Sequence, residues 1–332
     1  MRFLYSLILI FLPLLPAGAQ GMASVAGPSL GFAYDASLGA IRPIRGIPGA
    51  AILDDPIDAG FAFAAAAISP RQDYALALSA DDGQVRLIRF QNGGLTALFV
   101  NNAMVSPDRM IFSPSGRAAV LYQQSSGRLQ VLAGLPEAPT AQDAGTLVFT
   151  GSQAGIAVSD DGALVLLASG GQDSDPVWLL APGGNLLQLP LPGSSVAVSF
   201  RRDSHDALAL TRTGDLYLAR NVDTSLDLRQ VHAGDEQTSS PVAVQFSSNG
   251  ARAYTANATG TLAAFDLATG AANMVSCQCG PTGLQPLNSG MLFRLNEISN
   301  LPLLLLDGSG AAPRVWFVPP YRAAVDSQRS GQ

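Results

Sequence analysis

The chain has 332 residues, 48% of them hydrophobic and only 13% charged, with a formal net charge of -6 and no lysine. A weakly acidic surface whose largest basic cluster is Arg201-Arg202 disfavours nucleic acid as a partner. Of the 25 acids 22 are Asp, and with 34 Gly this favours turns over long helices, since Lys and Glu are the usual helix-surface residues.

From the N-terminus, Arg2, a short apolar stretch over residues 3–15 and Ala17-Gly-Ala19 before Gln20 read as a secretory signal peptide, residues 1–19. An uncleaved anchor and a buried first helix are the alternatives. The stretch falls short of the roughly 20 residues a span needs, and Pro13 and Pro16 spoil a helix end. No Cys follows the small residues to carry a lipid. The mature chain is expected in the periplasm or outside the cell, as a monomer without a transmembrane span.

Residues 20–332 show no linker, because Pro and Gly are spread along the chain, so one domain is expected. Its first recognisable piece, residues 31–44, looks like a third strand, a turn and a fourth strand. Six copies of one unit follow over residues 63–318. Aligned on the residue that ends each first strand, they fall at Ser69, Ser113, Ser159, Arg201, Ser247 and Arg294, separated by 44, 46, 42, 46 and 47 residues. That period matches a four-stranded propeller blade; helical repeats of this length would need longer amphipathic runs than the short apolar runs present.

The fifth unit shows the plan: a first strand over 241–246, the turn Ser247-Ser-Asn-Gly250, a second strand over 251–256, and third and fourth strands over 261–267 and 271–275. Second strands rich in Ala, Val and Leu imply burial on both faces, between neighbouring blades. Third strands such as 84–90 and 215–220 mix polar with apolar residues and should lie further out. The last unit offers only three strands, the first over 291–295 and the third over 314–318. An orphan pair at one end and an incomplete blade at the other predict an all-β single propeller of six blades, the N- and C-terminal segments sharing one blade to remove free edges. Seven blades is the alternative, if residues 20–60 build most of a blade of their own.

Phe246-Ser-Ser-Asn-Gly-Ala-Arg-Ala-Tyr-Thr-Ala-Asn257, followed by Gly260-Thr-Leu-Ala-Ala-Phe-Asp-Leu-Ala-Thr-Gly270, and Phe112-Ser-Pro-Ser-Gly-Arg117 resemble the YVTN and TolB-like branch of bacterial WD40-like repeats. The resemblance spans residues 63–318 and rests on the second and fifth units; the Trp-Asp ending of true WD40 blades is absent. It implies the propeller fold, on which binding scaffolds, envelope-associated proteins and some enzymes are all built.

A catalytic set in such a ring would gather near the axis. His205 lies in a turn and His232 in a connection between units, and no His/Cys/Glu cluster has metal-ligand spacing. Asp81-Asp-Gly, Asp160-Asp-Gly and Asp173-Ser-Asp175 read as hairpin turns before calcium loops. No Gly-x-Ser-x-Gly elbow exists, and neither Gly93-Gly94 nor Gly183-Gly184 lies in a phosphate-binding motif. Cys277 and Cys279, the only cysteines, are expected to form a structural disulfide in an oxidising compartment, with free thiols and thiol exchange as alternatives. Trp178 and Trp316 read as packing residues in equivalent third strands, and Tyr321 as the one mild binding aromatic. These readings name no catalytic, cofactor or metal residue. The expected function is a noncatalytic binding or scaffold module for a protein, peptide or envelope component, with a lactone hydrolase or lyase as the alternative.

Overall fold

The computed structural model describes residues 27–91, 94–147, 155–169, 176–181, 184–287 and 290–321. Among them the strands form seven antiparallel sheets in sequence order, the blades of a propeller. Blade 1 has three strands, β1 (Ser29–Asp35), β2 (Ala40–Ile47) and β3 (Ala50–Leu53). Blade 2 has β4 (Phe63–Ile68), β5 (Tyr74–Ser79), β6 (Val85–Gln91) and β7 (Gly94–Phe99); blade 3 has β8 (Arg109–Phe112), β9 (Ala118–Gln123), β10 (Arg128–Ala133) and β11 (Thr140–Thr146). Blade 4 comprises β12 (Gly155–Val158), β13 (Val165–Ala168), β14 (Val177–Ala181) and β15 (Asn185–Leu189); blade 5 comprises β16 (Ser195–Phe200), β17 (Ala207–Thr211), β18 (Leu216–Arg220) and β19 (Asp227–His232). Blade 6 holds β20 (Pro241–Phe246), β21 (Arg252–Asn257), β22 (Thr261–Asp266) and β23 (Ala272–Ser276); blade 7 holds β24 (Gln285–Pro286), β25 (Leu292–Arg294), β26 (Leu303–Asp307) and β27 (Arg314–Val318).

Strand periodicity explains the apolar second strands. Along β5, Tyr74 and Leu76 pack toward blade 3 while Ala75 and Ala77 pack toward blade 1. In β9, Ala118, Val120 and Tyr122 face blade 4, and Ala119 and Leu121 face blade 2. Both faces are dry, so alternation vanishes from the sequence. Each fully buried Leu, such as Leu76, contributes roughly 1.5–3 kcal/mol. Outermost strands such as β7 and β11 are mostly exposed.

The repeated Ser marks one turn. Ser69, Ser113, Ser159 and Ser247 each donate their backbone N–H across the first turn, to Tyr74, Ala118, Leu164 and Arg252, and Arg201 and Leu287 do the same without a hydroxyl. The Ser113, Ser159 and Ser247 hydroxyls accept the N–H five residues on, at 2.9–3.1 Å. The fourth residue of the turn donates back to the first and is left-handed: Gly116 (φ +76°), Gly162 (+73°), Gly250 (+67°) and Gly290 (+62°). A side chain could not replace Gly116, whose Cβ would lie 2.6 Å from the Ser69 hydroxyl. In blade 2 that position is Gln72, at φ +60°.

Two expectations about the ring are corrected. There are seven blades, because residues 29–53 build their own sheet; and no strand is shared among the described residues, because the last unit is complete. Its inner strand β24 is two residues long, so Leu292–Arg294 is a second strand and Arg294 does not end a first one. Trp316 consequently sits in a fourth strand and Trp178 in a third, so they are not equivalent; His232 lies in the outer strand β19 and not in a connection. The ring closes by face packing instead. Leu30, Ala33, Ile44 and Leu53 of blade 1 meet Leu292, Leu303, Leu305 and Val318 of blade 7 in one buried cluster. Gly49, at φ +85°, lies against the Trp316 ring, where a Cβ would be 3.0 Å from it.

Blade 1 also runs in a different phase. Tyr34 donates its hydroxyl to the Phe63 carbonyl at the start of β4, whereas the Phe32 N–H reaches the Gln72 side chain beyond the end of β4. The innermost strand of blade 1 is therefore opposite in sense to β4. In the order of the other blades, β1, β2 and β3 are second, third and fourth strands, and among the described residues blade 1 has no first strand.

Candidate binding site at the axial channel

Inner strands of blades 2 to 7 converge on the axis. Their lining is chiefly apolar, with Ala67, Ile68, Met110, Ile111, Ala157 and Val198 among it and Ser113, Ser199, Gln245 and Gln285 as polar exceptions. At the face carrying the first turns, the channel widens into a mouth of about 360 Å³ between Pro70, Pro114, Gln245, Ser247 and Pro286. Two cations stand at this mouth, Arg71 and Arg202. Arg71 pairs with Asp73 at 2.6 Å, and Arg202 approaches Asp203 only to 3.8 Å. Gln245 is fixed by the Ser199 hydroxyl, which donates to its carbonyl oxygen at 3.0 Å. The arrangement can hold a narrow ligand with a polar or anionic end at the mouth and an apolar stem in the channel.

The Arg, Asp and His groups cluster elsewhere, on the same face but off the axis, where Arg117, Asp160, Asp161, Asp203 and His205 line a shallow depression. Asp160 is buried, and its carboxylate accepts the Ser115 N–H of blade 3 and the Asp203 N–H of blade 5, each at 2.7 Å. Arg117 of blade 3 pairs with Asp203. The His205 ring lies between Asp223, 2.7 Å from Nδ1, and Asp161, 3.0 Å from Nε2. Partial burial works against the charged ring, but the hydrogen bonds it donates to Asp223 and Asp161 outweigh it and raise the His205 pKa. Asp161 is likewise lowered despite its desolvation, by the Ser159 hydroxyl, the Ala163 N–H and His205. The pairings Arg117–Asp203 and Asp161–His205 and the two bonds to Asp160 run between blades, and His205–Asp223 within blade 5, so this cluster ties the turns of blades 3, 4 and 5 together.

His232, on the outer strand of the blade that also carries His205 in its first turn, packs its ring 4.8 Å from Phe265 of the next blade and is not part of the channel lining. Among the described residues no group of three or more His, Cys, Asp or Glu is placed to hold a metal ion. Asp81 and Asp82 occupy the turn between β5 and β6; Asp173 to Asp175, Gly93 and Gly183 lie outside the described residues, as does the leader. Cys277 and Cys279 form a disulfide in the connection between blades 6 and 7, not at the channel. Tyr321 is a closure residue: its ring lies 3.6 Å from the Arg42 guanidinium carbon, and its hydroxyl donates to Asp55 at 2.5 Å. The mouth residues Arg71, Arg202 and Gln245 come from blades 2, 5 and 6. Sequence inspection missed them; their one available signal was position, one to two residues on either side of a first-turn residue.

No family model matches the chain, and no curated protein matches it. Solved structures do. A protein of unknown function from Desulfotomaculum acetoxidans superposes with a TM-score of 0.57 at 14% identity, over 88% of this chain and 100% of that one. A candidate 6-phosphogluconolactonase from Bacteroides fragilis gives 0.57 at 15% identity, over 87% and 92%. A protein from Lactobacillus plantarum gives 0.58 at 13% identity, over 88% and 96%. Identities this low carry the fold alone. Among the described residues no helix is long and apolar enough to cross a membrane.

Proposed function

We propose that this chain is an exported, noncatalytic binding propeller of the YVTN/TolB-like kind, which takes its ligand at the first-turn mouth of the axial channel. One observation carries the reading: an apolar channel opens continuously into a mouth set with Arg71, Arg202 and Gln245. The export part rests on the leader composition of residues 1–19. The test is affinity capture from the producing cell's envelope and medium with wild type and Gln245→Trp, which blocks the channel mouth. A ligand retained by wild type and lost from the folded variant supports the reading; capture unaffected by Gln245→Trp refutes it.

The second reading is a lactone hydrolase. It is favoured by the carboxylate of Asp73 beside Arg71 at the mouth, a base next to a group that could hold an anionic substrate, and by the name of the Bacteroides fragilis structure. Hydrolysis of 6-phosphogluconolactone above its spontaneous rate, abolished by Asp73→Asn, would establish it in place of the first.

A further inference from the structure

Among the described residues blade 1 has no inner strand, and β1, whose one sheet partner there is β2, borders by its other edge a gap beside the channel. Alternation identifies the main-chain groups on that edge. The Phe32 N–H points away from β2, to Gln72, so Phe32 and Tyr34 both turn their N–H and C=O to the bare side while Gly31, Ala33 and Asp35 face β2.

Gln72 holds the left-handed position that Gly fills in blades 3, 4, 6 and 7, a strained place for a residue with a side chain. Its amide shows what the strain achieves: Oε1 accepts the Phe32 N–H at 2.7 Å, and Nε2 donates to the Pro286 carbonyl at 3.1 Å. A side chain here takes the place of a main chain. Beyond it runs a gap of about 160 Å³, bounded by Ala66, Ala67 and Ile68 on blade 2 and by Gln285, Arg294 and Glu297 on blade 7. Ala67, Ile68 and Pro286 line both this gap and the channel.

We propose that this edge of β1 accepts an extended peptide from a partner protein, running parallel to β4 as the inner strand that blade 1 lacks among the described residues. The walls set its chemistry. Small apolar side chains face the alanines of blade 2, and polar ones, alternating with them, face the paired charges of Arg294 and Glu297. This rests on the binding reading above and names its partner class: main-chain pairing supplies affinity, and alternate side chains supply selectivity.

The probe is a fluorescein-labelled VSVDVS hexapeptide, titrated into the full chain by anisotropy, with VVVSSD as the control of equal composition. VSVDVS should saturate at least about tenfold tighter than the control, Ala66→Trp should weaken it at least about tenfold by filling the gap, and Gln72→Gly, which keeps the turn and frees the Phe32 N–H, should tighten it several-fold. Equal binding of the two peptides overturns the proposal, as does indifference to both variants. Binding seen only after residues 322–332 are deleted overturns it too, since the chain would then be supplying that strand itself. If an envelope ligand depends on Gln245 while VSVDVS fails to bind, strand addition is refuted and the channel-mouth reading stands.

Discussion

Blades 3 to 5 and the junction of blades 7 and 1 solve the same problem with different means. In both, adjacent sheets press apolar faces together. Between blades 3 and 5 the sheets are complete, and the polar ties are turn to turn: Asp160 takes two N–H groups, and Arg117, Asp203, His205 and Asp161 pair around the rim. At the junction blade 1 has three strands among the described residues, and buried side chains do what main chain does elsewhere. Arg42, 2% exposed, donates Nε to the Asp54 carbonyl at 2.8 Å, pairs with Asp35 at 3.3 Å and lies against the Tyr321 ring. Gln72 bridges β1 to blade 7 from a strained backbone. At this irregular joint the desolvated Gln72 amide and the Nε and Nη1 of Arg42 find specific partners, while Arg42 Nη2 has no hydrogen-bond partner among the described residues.

If that contrast is right, the largest effect belongs to the junction. Asp35→Ala strands the Arg42 guanidinium without its carboxylate and should cost about 3–5 kcal/mol, read as a lowered denaturant midpoint. In the regular sector Asp160→Ala removes the carboxyl acceptor of two backbone N–H groups, one on each flanking blade. A loss of about 2–3 kcal/mol is expected in the same measurement; a loss equal to that of Asp35→Ala would erase the distinction between the regions. Gln72→Ala keeps the strained φ and loses the three amide bonds to Phe32, Ser69 and Pro286, for about 1–2 kcal/mol, and Gln72→Gly should recover roughly 1 kcal/mol of that in the unfolding free energy.

The smallest effect concerns pH. His205 has a raised folded pKa, so its ties to Asp161 and Asp223 contribute fully below the ordinary value of 6.5 and fade as pH rises through the folded value. His205→Ala should therefore cost more stability at about pH 5.5 than at about pH 9. With 29% of the side chain accessible, the difference stays below about 1 kcal/mol. A cost that grows with pH would mean that the ring is bound neutral.

The blades were legible wherever a turn carries its own chemistry. Ser113, Ser159 and Ser247 brace the first turn by accepting the N–H five residues on at a short hydroxyl side chain, and four of the turns have a Gly where φ is positive. Blade 7 broke the pattern because Leu287 stands where the Ser would be, and because Gln285–Pro286 is too short to show any period. Counting from Arg294 then displaced every later strand by one. Blade 1 misled for a related reason: β1 and β2 read equally well as any consecutive pair, and only the contacts of Phe32 and Tyr34 with opposite ends of β4 fix their phase. The channel mouth was not legible at all, since Arg71, Arg202 and Gln245 are ordinary polar residues until three blades bring them to one axis.

The face-packed closure has a mechanical meaning. Six of the seven joints between blades are crossed by the polypeptide itself, whereas among the described residues the joint of blades 7 and 1 is held only by noncovalent contact. Under load the molecule would behave as a split washer, parting at that joint before any peptide linkage between blades is stretched.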